Sequence, residues 1–261
     1  SMALMADAMH MLSDATGLII ALVALVLGRK PVSRYATFGY RRAEVLAAAV
    51  NAVTVAVISV WIVVEAVQRI GQPESIDTRT MMVVAVIGLV ANGASAAVLQ
   101  SQRTQSVNIE GAFLHVLVDM LGSVAVIVAG IVIIFTGFTG ADVVASLIIA
   151  GLVLPRVWGL LRASISVLLE RVPPGVDPAE VGEKLVALEG VDAIHDLHLW
   201  SVGGTDVLCT VHLITSADHG VLLDRAQARL RELGIEHATI QIEDPGHFTH
   251  EVYCAPRGDV D

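Results

Sequence analysis

The amino-acid sequence predicts two objects in one chain: a membrane-embedded, all-α helical bundle of five spans, then a small ferredoxin-like α+β domain in the order αββαβ. Composition is the first sign. Of 261 residues, 55% are hydrophobic and 16% charged, against roughly 25% charged in a soluble domain, and mean hydropathy is +0.72. Charge partition is the second: residues 1–172 carry 11 Lys/Arg and 10 Asp/Glu, whereas residues 173–261 carry 5 and 16. The third is the spacing of front-half charges. Runs free of Asp, Glu, Lys and Arg reach 20 residues between Glu44 and Glu65, 23 between Arg79 and Arg103 and 22 between Asp119 and Asp142. A single soluble enzyme, a disordered chain and a nucleic-acid binder fit this pattern poorly.

A spanning helix needs about 20 predominantly apolar residues, and those three runs each qualify alone. The 14 residues between Asp14 and Arg29 qualify if the helix starts near Ala3 and carries Asp7, His10 and Asp14 inside the membrane. The 13 residues between Asp142 and Arg156 qualify if the helix continues through Pro155. Spans are therefore expected near 3–28, 43–69, 80–101, 108–136 and 142–163. Residues 1–163 form the membrane domain, 164–175 the linker and 176–261 the soluble domain. Arg29, Lys30, Arg34, Arg41 and Arg42 concentrate in the first loop, which the positive-inside rule assigns to the cytoplasm. Alternation then puts the soluble domain in the cytoplasm and the chain start outside, so a preceding span is expected to be missing from this chain.

Val172-Pro173-Pro174-Gly175 breaks any helix and marks the boundary. Asp177 reads as an N-cap, with Pro178 at the first helical position. Val181, Leu185 and Leu188 form an apolar stripe that Gly190 ends. Alternating residues follow, first Leu197 and Leu199, then Val207, Cys209, Val211 and Leu213. A second amphipathic helix carries Leu222, Leu223, Ala226 and Leu230, and a last strand carries Ile240 and Ile242. Strand parity places Asp196, His198, Trp200, His212, Gln241 and Glu243 on the face opposite the core. Cys209 reads as a core thiol; Cys254, in the tail, is a free thiol or a metal ligand.

The chemistry concentrates in two HxxxD motifs, His10–Asp14 and His115–Asp119, each inside a span. Positions i and i+4 stand one above the other on a helix face, so each motif presents an imidazole and a carboxylate together. Two such helices facing one another supply two nitrogens and two oxygens, a four-coordinate set suited to zinc. A lone intramembrane His is more often satisfied by a neighbouring carbonyl, and a lone Asp near a helix end reaches the interface. Yet each mid-membrane Asp costs roughly 2.5–3.5 kcal/mol, and the same pair recurs in two helices. A metal site is the stronger reading. Asp7, one turn before His10, is either a supporting residue behind the ligands or a vestibule carboxylate.

Ala6–Asp14, Phe38-Gly39-Tyr40-Arg41-Arg42-Ala43-Glu44, Leu114–Gly122 and His195-Asp196-Leu197-His198-Leu199-Trp200 together resemble the cation diffusion facilitator family, nearest its bacterial zinc-efflux branch. The likeness runs along nearly the whole chain, including Ile235–Gln241. It implies six spans in the family, a homodimer in the lipid bilayer of the bacterial inner (cytoplasmic) membrane, and zinc exchanged for protons. A further loop site found in some members is not expected, because Ala36 and Tyr40 stand at its positions. The resemblance also implies a cytoplasmic metal site using His195, His212 and Glu243 or Asp244, with Gln241 or Ile242 where a last-strand His is expected. Parity conflicts with that set, since it puts His198 rather than His195 beside His212. Arg42 and Glu170 match positions of a charge interlock between the membrane and cytoplasmic parts.

The expected function is proton-coupled efflux of a divalent cation, with zinc as transported substrate and possible regulator, and no enzymatic chemistry. Protonation of the ligands would release the metal, because metal binding is linked to proton release. A membrane metalloprotease would need HExxH or an equivalent, and the sequence has none. A membrane-anchored metal sensor is the binding-protein alternative. Cadmium, cobalt and iron stay open as substrates, because the same ligands accept them.

Overall fold

The computed structural model describes residues 2–70, 76–100 and 107–247. The side chains of residues 2, 3, 6, 7, 10, 11, 13–15, 18, 21, 25 and 107–112 lie outside that description. Five long helices occupy the front: α1 (Met2–Gly28), α2 (Arg42–Gln68), α3 (Thr78–Gln100), α4 (Val107–Thr136) and α5 (Gly140–Leu168). Among the described residues, four segments are long and apolar enough to cross a membrane: Arg42–Gln68, Thr78–Gln100, Phe113–Thr136 and Gly140–Leu168. Their outward faces stay apolar, with Ile87, Val90, Val98, Ile134 and Phe135 all more than half exposed, as a lipid-facing surface requires.

The chain divides into two compact units, residues 1–22 with 47–161 and residues 23–46 with 162–261. In the first, one apolar cluster joins Ala52, Val55 and Ile62 of α2 with Met81 and Ala85 of α3, Val126 and Ala129 of α4, and Ala145, Ile149 and Val153 of α5; Leu4 of α1 packs against it. Small residues recur in this list because lipid supplies no hydrophobic drive, and close helix approach must come from packing. Gly17 shows the constraint: a Cβ there would meet the Asn51 side chain of α2 at 2.6 Å. Pro155 lies inside α5, which continues to Leu168, five residues past the expected end at 163. Its last turn closes as a Schellman motif. Arg171 N–H donates to Ser166 O at 3.0 Å and Glu170 N–H to Val167 O at 3.1 Å, with Glu170 itself left-handed at φ 55°.

In the second unit, α6 (Pro178–Val186), β1 (Ala193–Trp200), β2 (Leu208–Ile214), α7 (His219–Glu232) and β3 (His237–Glu243) follow in the expected order. Asp177 caps α6, its carboxylate accepting from Ala179 N–H at 2.9 Å. The helix stops at Val186, before Gly190, because Leu188 and Val191 N–H bond three residues back and wind the chain into tight turns. Leu188 still packs on the core. The sheet order is β1-β2-β3, β1 antiparallel and β3 parallel to β2. Val181, Leu185, Leu222, Ala226 and Leu230 of the helices bury the face formed by Leu199, Cys209, Val211 and Leu213. Cys209 is a core thiol, and burial pushes its pKa up to about 11. Cys254 lies outside the described residues.

One strand departs from simple alternation. His195 pairs with His212 and His198 with Thr210, so the register shifts between them. Two residues, Asp196 and Leu197, oppose Val211 alone, and Asp196 takes a left-handed φ of 47°. This is a β-bulge. It corrects the parity expectation: the extra residue returns His195 to the face of His212 while Leu197 and Leu199 remain on the core side.

Candidate functional site

The first candidate lies in α4. His115 and Asp119 are one turn apart, His115 Nε2 standing 3.6 Å from Asp119 Oδ2, both side chains mostly buried. The i,i+4 spacing alone produces this. The same stripe continues at Ser123, which is fully buried and whose hydroxyl has no hydrogen-bond partner among the described residues. Sequence reasoning passed over Ser123, although its i+8 position was the available signal. His10 and Asp14 lie on α1, and Asp7 one turn before His10; their side chains are outside the described residues. An imidazole and a carboxylate turned to one helix face supply a borderline nitrogen and a hard oxygen to a divalent cation.

The second candidate lies on the open face of the small sheet. The ligand atoms of His195, His212 and Glu243 all fall within 4.8 Å of one another. His195 Nε2 is 3.1 Å from Glu243 Oε2, and His212 Nδ1 is 2.7 Å from Glu243 Oε1. The two rings meet edge to face at 4.7 Å between centroids. Gln241, two residues from Glu243 and so on the same strand face, donates from Nε2 to Glu243 Oε1 at 2.9 Å. Glu243 is buried. Burial alone would raise its pKa, but hydrogen bonding and charge from His195, the Gln241 amide and His212 hold the carboxyl below the usual glutamate range.

Tetrahedral zinc at about 2.0–2.1 Å from each ligand separates ligand atoms by about 3.3 Å. The observed spacings approach that value, and two imidazoles with one carboxylate are a donor set that zinc accepts. The residues fit the group. Neither His198 nor Asp244 joins the cluster: His198 is exposed beyond the bulge, and Asp244 Oδ1 faces His219 Nε2 at 3.4 Å. The conflict between His195 and His198 is therefore decided by the bulge, and that between Glu243 and Asp244 by burial.

The third feature is charged. Arg42 Nη2 donates to Glu170 Oε1 at 2.6 Å, which joins the start of α2 to the end of α5. Beside it, Arg41 Nη1 donates to Asp206 Oδ2 at 3.0 Å, a pair that sequence reading missed, since 165 residues separate its members.

Comparison with known proteins adds an independent line. The model of the cation efflux transmembrane domain matches residues 1–169, and that of the cation efflux protein cytoplasmic domain matches residues 173–245. The metal cation efflux system protein CzcD of Cupriavidus metallidurans is 42% identical over 247 residues, covering 93% of this chain and 78% of its own. The zinc transporter ZitB of Escherichia coli is 42% identical over 247 residues, covering 93% and 79%. A cadmium, cobalt and zinc/H(+)-K(+) antiporter of Bacillus subtilis is 38% identical over 265 residues, covering 98% and 85%.

Proposed function

This chain belongs to the cation efflux family, and on that premise we propose that it exports zinc across a bacterial inner membrane in exchange for protons, as a homodimer. The observation that carries the reading is the mostly buried His115–Asp119 pair inside the apolar segment Phe113–Thr136. A carboxylate kept at that depth is expensive unless it binds something. We assign His10 and Asp14 of α1 as the other two ligands of the transported cation, with Asp7 supporting them. Metal binding needs the imidazoles neutral and the carboxylates ionised, so protonation releases the cation and a proton gradient drives the cycle. Relatives named for zinc, cadmium and cobalt support a divalent cation as substrate. The His/Asp pairing favours zinc among them.

The cytoplasmic His195, His212 and Glu243 cluster is assigned a second, regulatory zinc, which would bridge β1, β2 and β3. That zinc supplies only a cross-link among strands. Arg42 and Glu170 act as an interlock between the helical part and the cytoplasmic domain.

The test is zinc, cadmium and cobalt flux by purified protein in proteoliposomes under an imposed pH gradient. Zinc flux that collapses when the gradient is dissipated, and that Asp119→Ala abolishes without loss of folding or dimer, is the expected result. Gradient-independent flux would reject proton coupling. Zinc binding without any flux would favour a sensor.

A further inference from the structure

Two neighbouring arginines grip two different segments. Arg42 holds Glu170 at the end of α5. Arg41, one residue earlier, holds Asp206 in the turn between β1 and β2. Asp206 divides its oxygens between two tasks. Oδ2 receives Arg41, while Oδ1 accepts from Ser201 Oγ at 2.8 Å and from Gly203 N–H at 2.9 Å. Ser201 Oγ in turn accepts from Gly204 N–H at 2.6 Å, and Gly204 is left-handed at φ 89°. The turn is thus wound around one carboxylate, directly between the ends of β1 and β2. Burial would raise the pKa of Asp206, but these hydrogen bonds and Arg41 outweigh it, so the group is ionised. Phe38, in the same first loop, sets its ring edge-on against His237 at the start of β3. The loop therefore touches both the β1–β2 turn and the start of β3.

We propose that Asp206 is a positioning residue for transport: held by the β1–β2 turn, it latches Arg41 and ties the geometry of the β1–β2 pair to the start of α2. The regulatory part rests on the zinc reading of the cytoplasmic cluster. His195 and His212 face each other near one end of the β1–β2 ladder, and Trp200 and Leu208 border the turn at the other. A zinc held by both imidazoles and Glu243 would widen their direct contacts of 3.1 and 2.7 Å toward about 3.3 Å, which would reposition one strand against the other, and the turn would carry that shift to Arg41. The bland alternative is an ordinary surface ion pair, since the Arg41 side chain is 59% exposed. A pair this exposed is too weak to hold a fold together. A severalfold bias between two conformations is nonetheless enough to alter a transport rate, and coupling of this kind acts reciprocally on metal affinity.

Asp206→Asn is the informative change, because Asn keeps the Oδ1 acceptor that the turn needs and removes the charge facing Arg41. In proteoliposomes, Asp206→Asn and Arg41→Gln should each lower the maximal zinc rate two- to fivefold with KM unchanged. The double variant should be no slower than either single, and Arg41→Lys should retain most of the rate. By reciprocity, Asp206→Asn should shift the zinc affinity of the cytoplasmic cluster two- to fivefold, read by calorimetry on full-length protein carrying Asp119→Ala. That second readout does not depend on flux. A protein that moves no zinc yet shows the affinity shift keeps the latch and loses only the transport reading. A transporting protein whose rate and affinity both ignore Asp206, or whose two single losses multiply in the double variant, overturns the latch.

Discussion

Glu170→Gly should separate stability from function, and the structure supplies the terms. Glu170 occupies the left-handed position that closes α5, at φ 55°, where glycine is the usual residue. A non-glycine residue there costs about 1–2 kcal/mol, and an acid at a helix C-terminus opposes the dipole by a further ~0.3–1 kcal/mol. Substitution by Gly relieves both. Against this, glycine adds unfolded-state entropy worth about 0.4–1 kcal/mol. Removing the half-exposed pair with Arg42 forfeits about 0–1 kcal/mol. The sum runs from about 0.7 kcal/mol of destabilisation to about 2.6 kcal/mol of stabilisation and centres near 1 kcal/mol of stabilisation. Transport should nevertheless fall two- to fivefold, since the side chain is kept in a strained position to reach Arg42. Thermal unfolding in detergent and zinc flux in proteoliposomes, measured on the same preparation, check both halves. A loss of stability above about 2 kcal/mol would refute the strain account. Unchanged flux would reduce Glu170 to a helix end.

Glu243→Ala should weaken zinc binding at the cytoplasmic cluster roughly 10- to 150-fold, if each charge-assisted contact is worth about 1.5–3 kcal/mol; calorimetry on protein carrying Asp119→Ala measures it, and unaltered affinity would move the site elsewhere. The depressed pKa of Glu243 means that its stabilising contribution is present above the ordinary glutamate range and lost as pH falls through the lowered folded value. Glu243→Gln should therefore flatten the acid limb of a stability–pH profile, and an identical limb would contradict the assignment. Asp196→Val should cost about 1–2 kcal/mol, because a β-branched residue resists φ 47°, whereas Asp196→Gly should be tolerated and keep zinc affinity; equal melting of the two would count against the bulge. Cys209, buried with its pKa near 11, should resist maleimide at neutral pH in folded Cys254→Ser protein and label only after unfolding, as followed by mass.

What was legible in the sequence is what short covalent spacing dictates. The long helices follow from charge-free runs, because an apolar segment without water must satisfy its own backbone. His115 and Asp119 meet because four residues make about one helical turn, with no information needed from elsewhere in the chain. The cap of α6 and the apolar stripes of α6 and α7 are local in the same sense, and so is the order of strands and helices. Tertiary structure decided everything that depends on two segments at once. Whether His195 or His198 joins His212 could not be read from alternation, since a bulge is a property of two paired strands and inverts parity beyond it. Glu243 prevailed over Asp244 because the pairing of β3 with β2 buries one and leaves the other at the edge. Arg41 and Asp206, far apart in sequence, carry no periodic signature at all. Their meeting depends on where the first loop comes to rest against the β1–β2 turn, and local spacing holds no record of that.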